Sequence, residues 1–124
     1  MNHVDPEGRA ATVDNRPAGQ VVLMNRFVVP EGRDEAFVEL WTETSRFFRA
    51  QPGFVSLKLH RAVSADAEHR YVNVAVWESA AQYAAPHQTC EFRRLVSQDA
   101  WREFPSSPAV YEVVVEHSLA DATA

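Results

Sequence analysis

The sequence predicts an α+β domain with the element order β-α-β-β-α-β, a single antiparallel sheet with its helices on one face. Three observations carry this reading. Runs rich in β-branched and aromatic residues alternate with segments whose apolar residues recur at helical spacing. Pro and Gly fall at the junctions between them. A length of 124 residues, with 46% hydrophobic and 23% charged content, fits one globular domain.

The elements follow in order. Residues 1–19 have no periodic apolar pattern and are expected to form a mobile N-terminal arm, with a domain over 20–117 and a flexible tail over 118–124. Val21 to Val29 is a β-rich run stopped by Pro30 and Gly32. Asp34 suits an N-cap, and Phe37, Leu40, Trp41, Thr44, Phe47 and Phe48 then recur on one helical face, ending before Pro52-Gly53. A second strand runs from Phe54 to about Val63, with Ala65 to Glu68 as its turn. Arg70 to Trp77 is apolar on both faces, which predicts a central strand. Ser79-Ala80-Ala81-Gln82 has the capping-box form and opens a helix that Pro86 interrupts and Glu91 to Ser97 continues. Val110 to Glu116 is the last predicted strand.

This order is the ferredoxin-like plan. Two helices cover one face of a four-stranded sheet and leave the other bare. An apolar bare face wants a partner, and packing two such sheets face to face gives a homodimer closed as an α+β barrel. A chain this small buries roughly two thirds of its unfolded surface, so a sizeable ligand cavity costs core packing that a second copy would offset.

Composition narrows the function. The formal net charge of −5 and pI near 5.5 argue against nucleic acid, whose binders show a basic face, and Arg93-Arg94 is too short a run to supply one. A lone cysteine, Cys90, excludes an intrachain disulfide, and no Cys/His array offers a metal site. The expected setting is a reducing cytoplasm. No apolar run approaches the ~20 residues of a membrane span.

Chemistry concentrates on the third strand. Side chains alternate along a strand, so Tyr71, Asn73, Ala75 and Trp77 share one face and Val72, Val74 and Val76 take the other. The valine face is expected in the core, and the Tyr/Asn/Ala/Trp face as a pocket wall. A mid-strand Asn costs free energy unless its amide is partnered, by backbone, by a dimer mate or by a ligand.

The run Asn73-Val74-Ala75-Val76-Trp77-Glu78-Ser79, followed by Tyr83, resembles the N-x-x-x-W-E-S…Y signature of antibiotic biosynthesis monooxygenases, nearest to the cofactor-independent members that oxidise aromatic polyketides to quinones. The first strand and the Gln51-Pro52-Gly53-Phe54 junction fit as well, so the resemblance covers roughly Val21 to Glu116. It implies a small aromatic phenol or anthrone and O2 as substrates, no cofactor, and a site of Asn73, Trp77, Tyr83 and Arg93, with Arg94 competing for the arginine's place. Trp77 and Tyr83 would wall a flat ring. Asn73 would donate a hydrogen bond to the oxygen that gains charge, and Arg93 would stabilise the same anion. Haem-degrading relatives place an Asn at the position of Asn25. They also need an iron-ligating His on the second helical segment, where this chain has Val96.

Around this set, His87 follows the Pro86 break and has the ordinary pKa of a general base, ~6.5. Asn25 shares its strand parity with Phe27, so both are candidate substrate contacts, with Tyr71. His60, beside Ser56 and Lys58 in parity, either lines the same cavity or meets a dimer mate. Other readings of the same residues are a non-catalytic dimeric binding module, a polyketide cyclase that consumes no O2, and, further off, a haem-binding protein.

Overall fold

The computed structural model describes residues 19–119. Four strands and three α-helices follow in the order β1 (Val21–Phe27), α1 (Asp34–Arg49), β2 (Phe54–Arg61), β3 (Tyr71–Trp77), α2 (Ala80–Ala84), α3 (Cys90–Val96) and β4 (Ser106–Tyr111). Two 3₁₀ turns, Ala85–Gln88 and Asp99–Glu103, lie before and after α3. The strands form one sheet in the order β2-β3-β1-β4, every neighbouring pair antiparallel. β3 is thus central, and the α+β ferredoxin-like plan holds.

Local chemistry accounts for the boundaries. Gly32 at φ +80° turns the chain after β1. The residue that caps α1 is Arg33, not Asp34: Arg33 carbonyl oxygen accepts the Phe37 N–H at 3.0 Å, and Asp34 stands in the first turn beside Glu35. There its carboxylate favours the helix dipole and accepts a hydrogen bond from the Tyr71 hydroxyl at 2.7 Å. Ser79 opens α2 as expected: its hydroxyl accepts the Gln82 N–H at 3.1 Å and donates to Gln82 Oε1 at 2.9 Å. Pro86 ends α2 in a 3₁₀ turn, and Thr89 restarts the helix by accepting the Phe92 N–H at 3.1 Å.

Two further expectations are corrected. The last strand is Ser106–Tyr111 rather than Val110 to Glu116. Pro108 argues against a strand when read alone, but β4 is an edge, where a missing N–H is tolerated. The second correction concerns the faces of β3. Tyr71, Asn73, Ala75 and Trp77 are 2%, 9%, 3% and 1% exposed, whereas Val72, Val74 and Val76 are only half-buried. The helices pack on the aromatic face, because Phe27, Phe37, Tyr71 and Phe104 form the core cluster there, with Trp41, Leu59 and Trp101 against it. The valines lie on the open side. In register with them are Met24 and Arg26 on β1 and Lys58 and His60 on β2, so the uncovered face is apolar along its middle and charged at one end.

Among the described residues no helix is long and apolar enough to cross a membrane. The expected arm falls outside the described residues except for Gly19, and the tail except for Ser118 and Leu119.

Candidate active site

Between the inner face of the sheet and the helices lies a cavity of about 380 Å³. β1 contributes Leu23, Asn25 and Phe27, and β3 contributes Asn73, Ala75 and Trp77. Trp41 and Phe48 of α1 form the roof, Tyr83 and His87 one side, and Phe92, Trp101 and Phe104 complete the aromatic wall. The volume lies in the range of small-molecule pockets, and so does the mostly apolar lining with a few polar groups.

Strand register sets the polar groups. Asn25 and Asn73 are direct partners across β1 and β3, on the inner face. Side chains so paired sit roughly 5 Å apart at Cβ. Trp77 lies further along β3, opposite Val21, with its ring edge-on to Phe54 at 5.6 Å and to Tyr83 at 6.1 Å. At the other end Trp101 stacks on Phe27, ring centroids 6.0 Å apart.

Four buried side-chain polar atoms find no hydrogen-bond partner among the described residues: Asn25 Oδ1, Asn73 Oδ1, Trp77 Nε1 and Trp101 Nε1. All four residues line this cavity. Each orphaned group carries a desolvation cost of ~1–3 kcal/mol, which folding alone does not return. Two acceptors and two donors thus share one apolar enclosure.

His87 is held beside them. Its Nδ1 lies 2.9 Å from the Tyr83 carbonyl oxygen. A carbonyl only accepts, so Nδ1 carries the hydrogen and the neutral ring keeps its lone pair on Nε2. Phe48, Tyr83 and Phe92 surround the ring at 5.4, 4.5 and 4.7 Å. That burial pushes the His87 pKa below its ordinary 6.5, and the Tyr83 carbonyl opposes the shift in part. Burial likewise raises the Tyr83 phenol above its ordinary 10.0, so Tyr83 keeps its proton at neutral pH.

The sequence-derived residues divide accordingly. Asn25, Phe27, Asn73, Trp77, Tyr83 and His87 come together on the cavity wall. Tyr71, His60 and Arg93 do not line it. Tyr71 packs in the core, and its hydroxyl is bonded to Asp34. His60 is exposed on the open face of the sheet, opposite Val72. Arg93 and Arg94 are both exposed, because the cavity side of α3 is taken by Phe92 and Val96. Sequence reasoning missed Trp101, which stands on a 3₁₀ turn too short for periodicity to reveal; its only signal is the spacing Trp101-x-x-Phe104. No three His, Cys, Asp or Glu side chains converge as a metal site among the described residues.

Comparison with known proteins follows this geometry. Residues 20–98 match the sequence profile of the antibiotic biosynthesis monooxygenases. The chain belongs to this family. It is 42% identical over 64 residues to deoxynogalonate monooxygenase of Streptomyces nogalater, an alignment spanning 52% of either protein, so the chain matches about half the length of that relative. Among solved structures, SnoaB, a cofactor-independent oxygenase from Streptomyces nogalater, is similar with a TM-score of 0.66 at 29% identity over 82% of this chain and 98% of SnoaB. The haem degrader MhuD of Mycobacterium tuberculosis, with two haems bound, has a TM-score of 0.63 at 25% identity over 79% of this chain and 99% of MhuD.

Proposed function

We propose that this chain is a cofactor-independent monooxygenase that oxidises an aromatic, polyketide-like phenol or anthrone with O2 to a quinone. The observation that carries the reading is that all four residues with an orphaned buried polar atom line one aromatic cavity. A flat ring bearing both hydroxyl and carbonyl groups pairs with acceptors and donors alike, and the surrounding aromatics cover its faces. The relationship to SnoaB supports the same class.

The chemistry balances without a further reductant. His87 Nε2 takes the proton of the enolised anthrone, leaving an electron-rich enolate between aromatic walls. The enolate gives one electron to O2, and the resulting radical and superoxide combine at the ring carbon opposite the oxygen. The hydroperoxide then loses water as its C–H bond breaks and its O–O bond cleaves. Overall, anthrone and O2 become quinone and water, one O2 for each ring oxidised.

Protein groups act by placing and polarising the ring. Trp77 Nε1–H donates to the oxygen that gains charge, and the amide oxygens of Asn25 and Asn73 accept from the ring's hydroxyl groups. Arg93 has no part in this scheme, since it stands exposed outside the cavity. The haem chemistry of MhuD does not fit these residues, since Phe92 and Val96 occupy the cavity side of α3 and supply no iron ligand.

A homodimer belongs to the proposal. The middle of the open face carries Val72, Val74 and Val76 with Met24, the last 39% exposed, and a second copy of the same face would cover them.

Oxygen uptake separates the readings. Protein stripped of metal, mixed with anthrone in an oxygen electrode, is expected to consume one O2 per quinone formed, faster than buffer. A cyclase or a binding module would consume none above the spontaneous rate, and that result would overturn the proposal.

A further inference from the structure

We infer that Trp101 is a specificity-determining residue: its indole N–H forms a second polar pole that selects ligands bearing a hydrogen-bond acceptor on the ring remote from the reacting one. The inference rests on the reading above of the cavity as an aromatic-ligand site.

The geometry sets two poles apart. Trp77 stands level with Val21 at one end of the β1–β3 pair, and Phe27, under Trp101, stands level with Tyr71 at the other. These levels are the two ends of the strand pair, and both indoles reach from them into the one cavity of about 380 Å³. Asn25 and Asn73 lie between them. The reacting pole is the Trp77 end, because Tyr83 packs on Trp77 and its carbonyl holds His87. Trp101 is distant from that chemistry along the strand, so its N–H has no oxygen of the reacting ring to serve.

Trp101 nevertheless resembles a binding group more than core filler. Its Nε1 is buried and has no partner among the described residues, in a protein where the Tyr71 hydroxyl, also buried in that cluster, is bonded to Asp34. An indole placed only for packing leaves a donor stranded at that cost, which a phenylalanine would avoid. A carbonyl or ester oxygen on the far ring of an elongated, linearly fused ligand satisfies it. A single ring spans one pole only.

Two ligands test this: 5,12-naphthacenequinone carrying a methyl ester at C8, on the ring two removed from the quinone ring, and the same compound carrying a methyl group there. Dissociation constants are measured by calorimetry for the full chain and for Trp101→Phe, which keeps an aromatic wall and removes the donor. The full chain is expected to prefer the ester about five- to tenfold. Trp101→Phe is expected to bind both compounds equally, the smaller ring costing each the same wall contact. Circular dichroism and a cooperative thermal melt show that the variant is folded. An unchanged ester preference in Trp101→Phe, or none in the full chain, overturns the inference. Failure of the oxidation proposal looks different: the ester preference would stand and depend on Trp101 while no O2 is consumed.

Discussion

Asn25 and Asn73 face each other in register across the two central strands, each with a buried amide oxygen that no group among the described residues satisfies. This pairing ties stability to function in opposite senses. Asn73→Leu keeps the branched shape, has the cavity to take its extra bulk and removes a stranded acceptor, so the folded protein is expected to gain ~1 kcal/mol. A gain of that size raises the melting temperature by roughly 4–8 °C for a domain near this length. Turnover of an anthrone is expected to fall at least tenfold in the same variant. Calorimetry and a quinone assay on one preparation check both, and a destabilised Asn73→Leu would mean that the amide is already partnered.

His87 sets the expected pH dependence. Its folded pKa lies below the ordinary 6.5 through burial, so between the two values the unfolded chain binds more protons than the folded one. Stability from this group is therefore complete above 6.5 and declines as pH falls through that window. The rate as a base has the same sign: the acid limb of kcat/KM should rise with a slope of one and level off below pH 6.5. His87→Gln should flatten that limb and lower the plateau by about 10²–10⁴-fold. A pH profile that keeps its limb in His87→Gln assigns the proton to another group.

Gly53 controls the Tyr83 wall from a distance. Its φ is +86°, and an added Cβ would sit 2.5 Å from the Gln82 side-chain carbonyl carbon and 2.6 Å from Gln82 Cβ. Gln82 is locked to Ser79 and directly precedes Tyr83. Gly53→Ala is expected to cost about 1–3 kcal/mol in denaturant melts and to weaken ligand binding, since relief requires α2 to shift. Melts within 0.5 kcal/mol of the parent would show that α2 yields freely.

The sheet's open face carries the proposed dimer contact. Light scattering is expected to give twice the 14.0 kDa chain mass, and Val74→Asp, in the middle of the valine row, to give the chain mass alone. A monomeric parent chain would remove the dimer from the proposal.

Much of the site was legible because strand parity is a strict rule. Asn73 and Trp77 had to share a face, and Asn25 and Phe27 had to share another strand's face, whatever the fold did around them. Parity does not say which face the helices cover. The valines were assigned to the core on hydrophobicity, whereas the larger aromatic surface of Phe27, Phe37, Tyr71 and Phe104 won the helices. Arg93 was misplaced because a seven-residue helix turns the neighbouring Phe92 inward and its own side chain out. Trp101 stayed hidden since a 3₁₀ turn has no periodic signal. β4 was displaced because edge position, which makes Pro108 acceptable, is a property of the whole sheet.

The most direct test of the site's proposed chemistry is anaerobic mixing of protein with an anthrone, followed by admission of O2, with the absorption spectrum recorded throughout. The expected result is a red-shifted enolate band that forms without O2, persists, and converts to quinone when O2 enters, with the band weakened in His87→Gln and Trp77→Phe. An unshifted anthrone spectrum that turns to quinone only at the rate seen in buffer would contradict it.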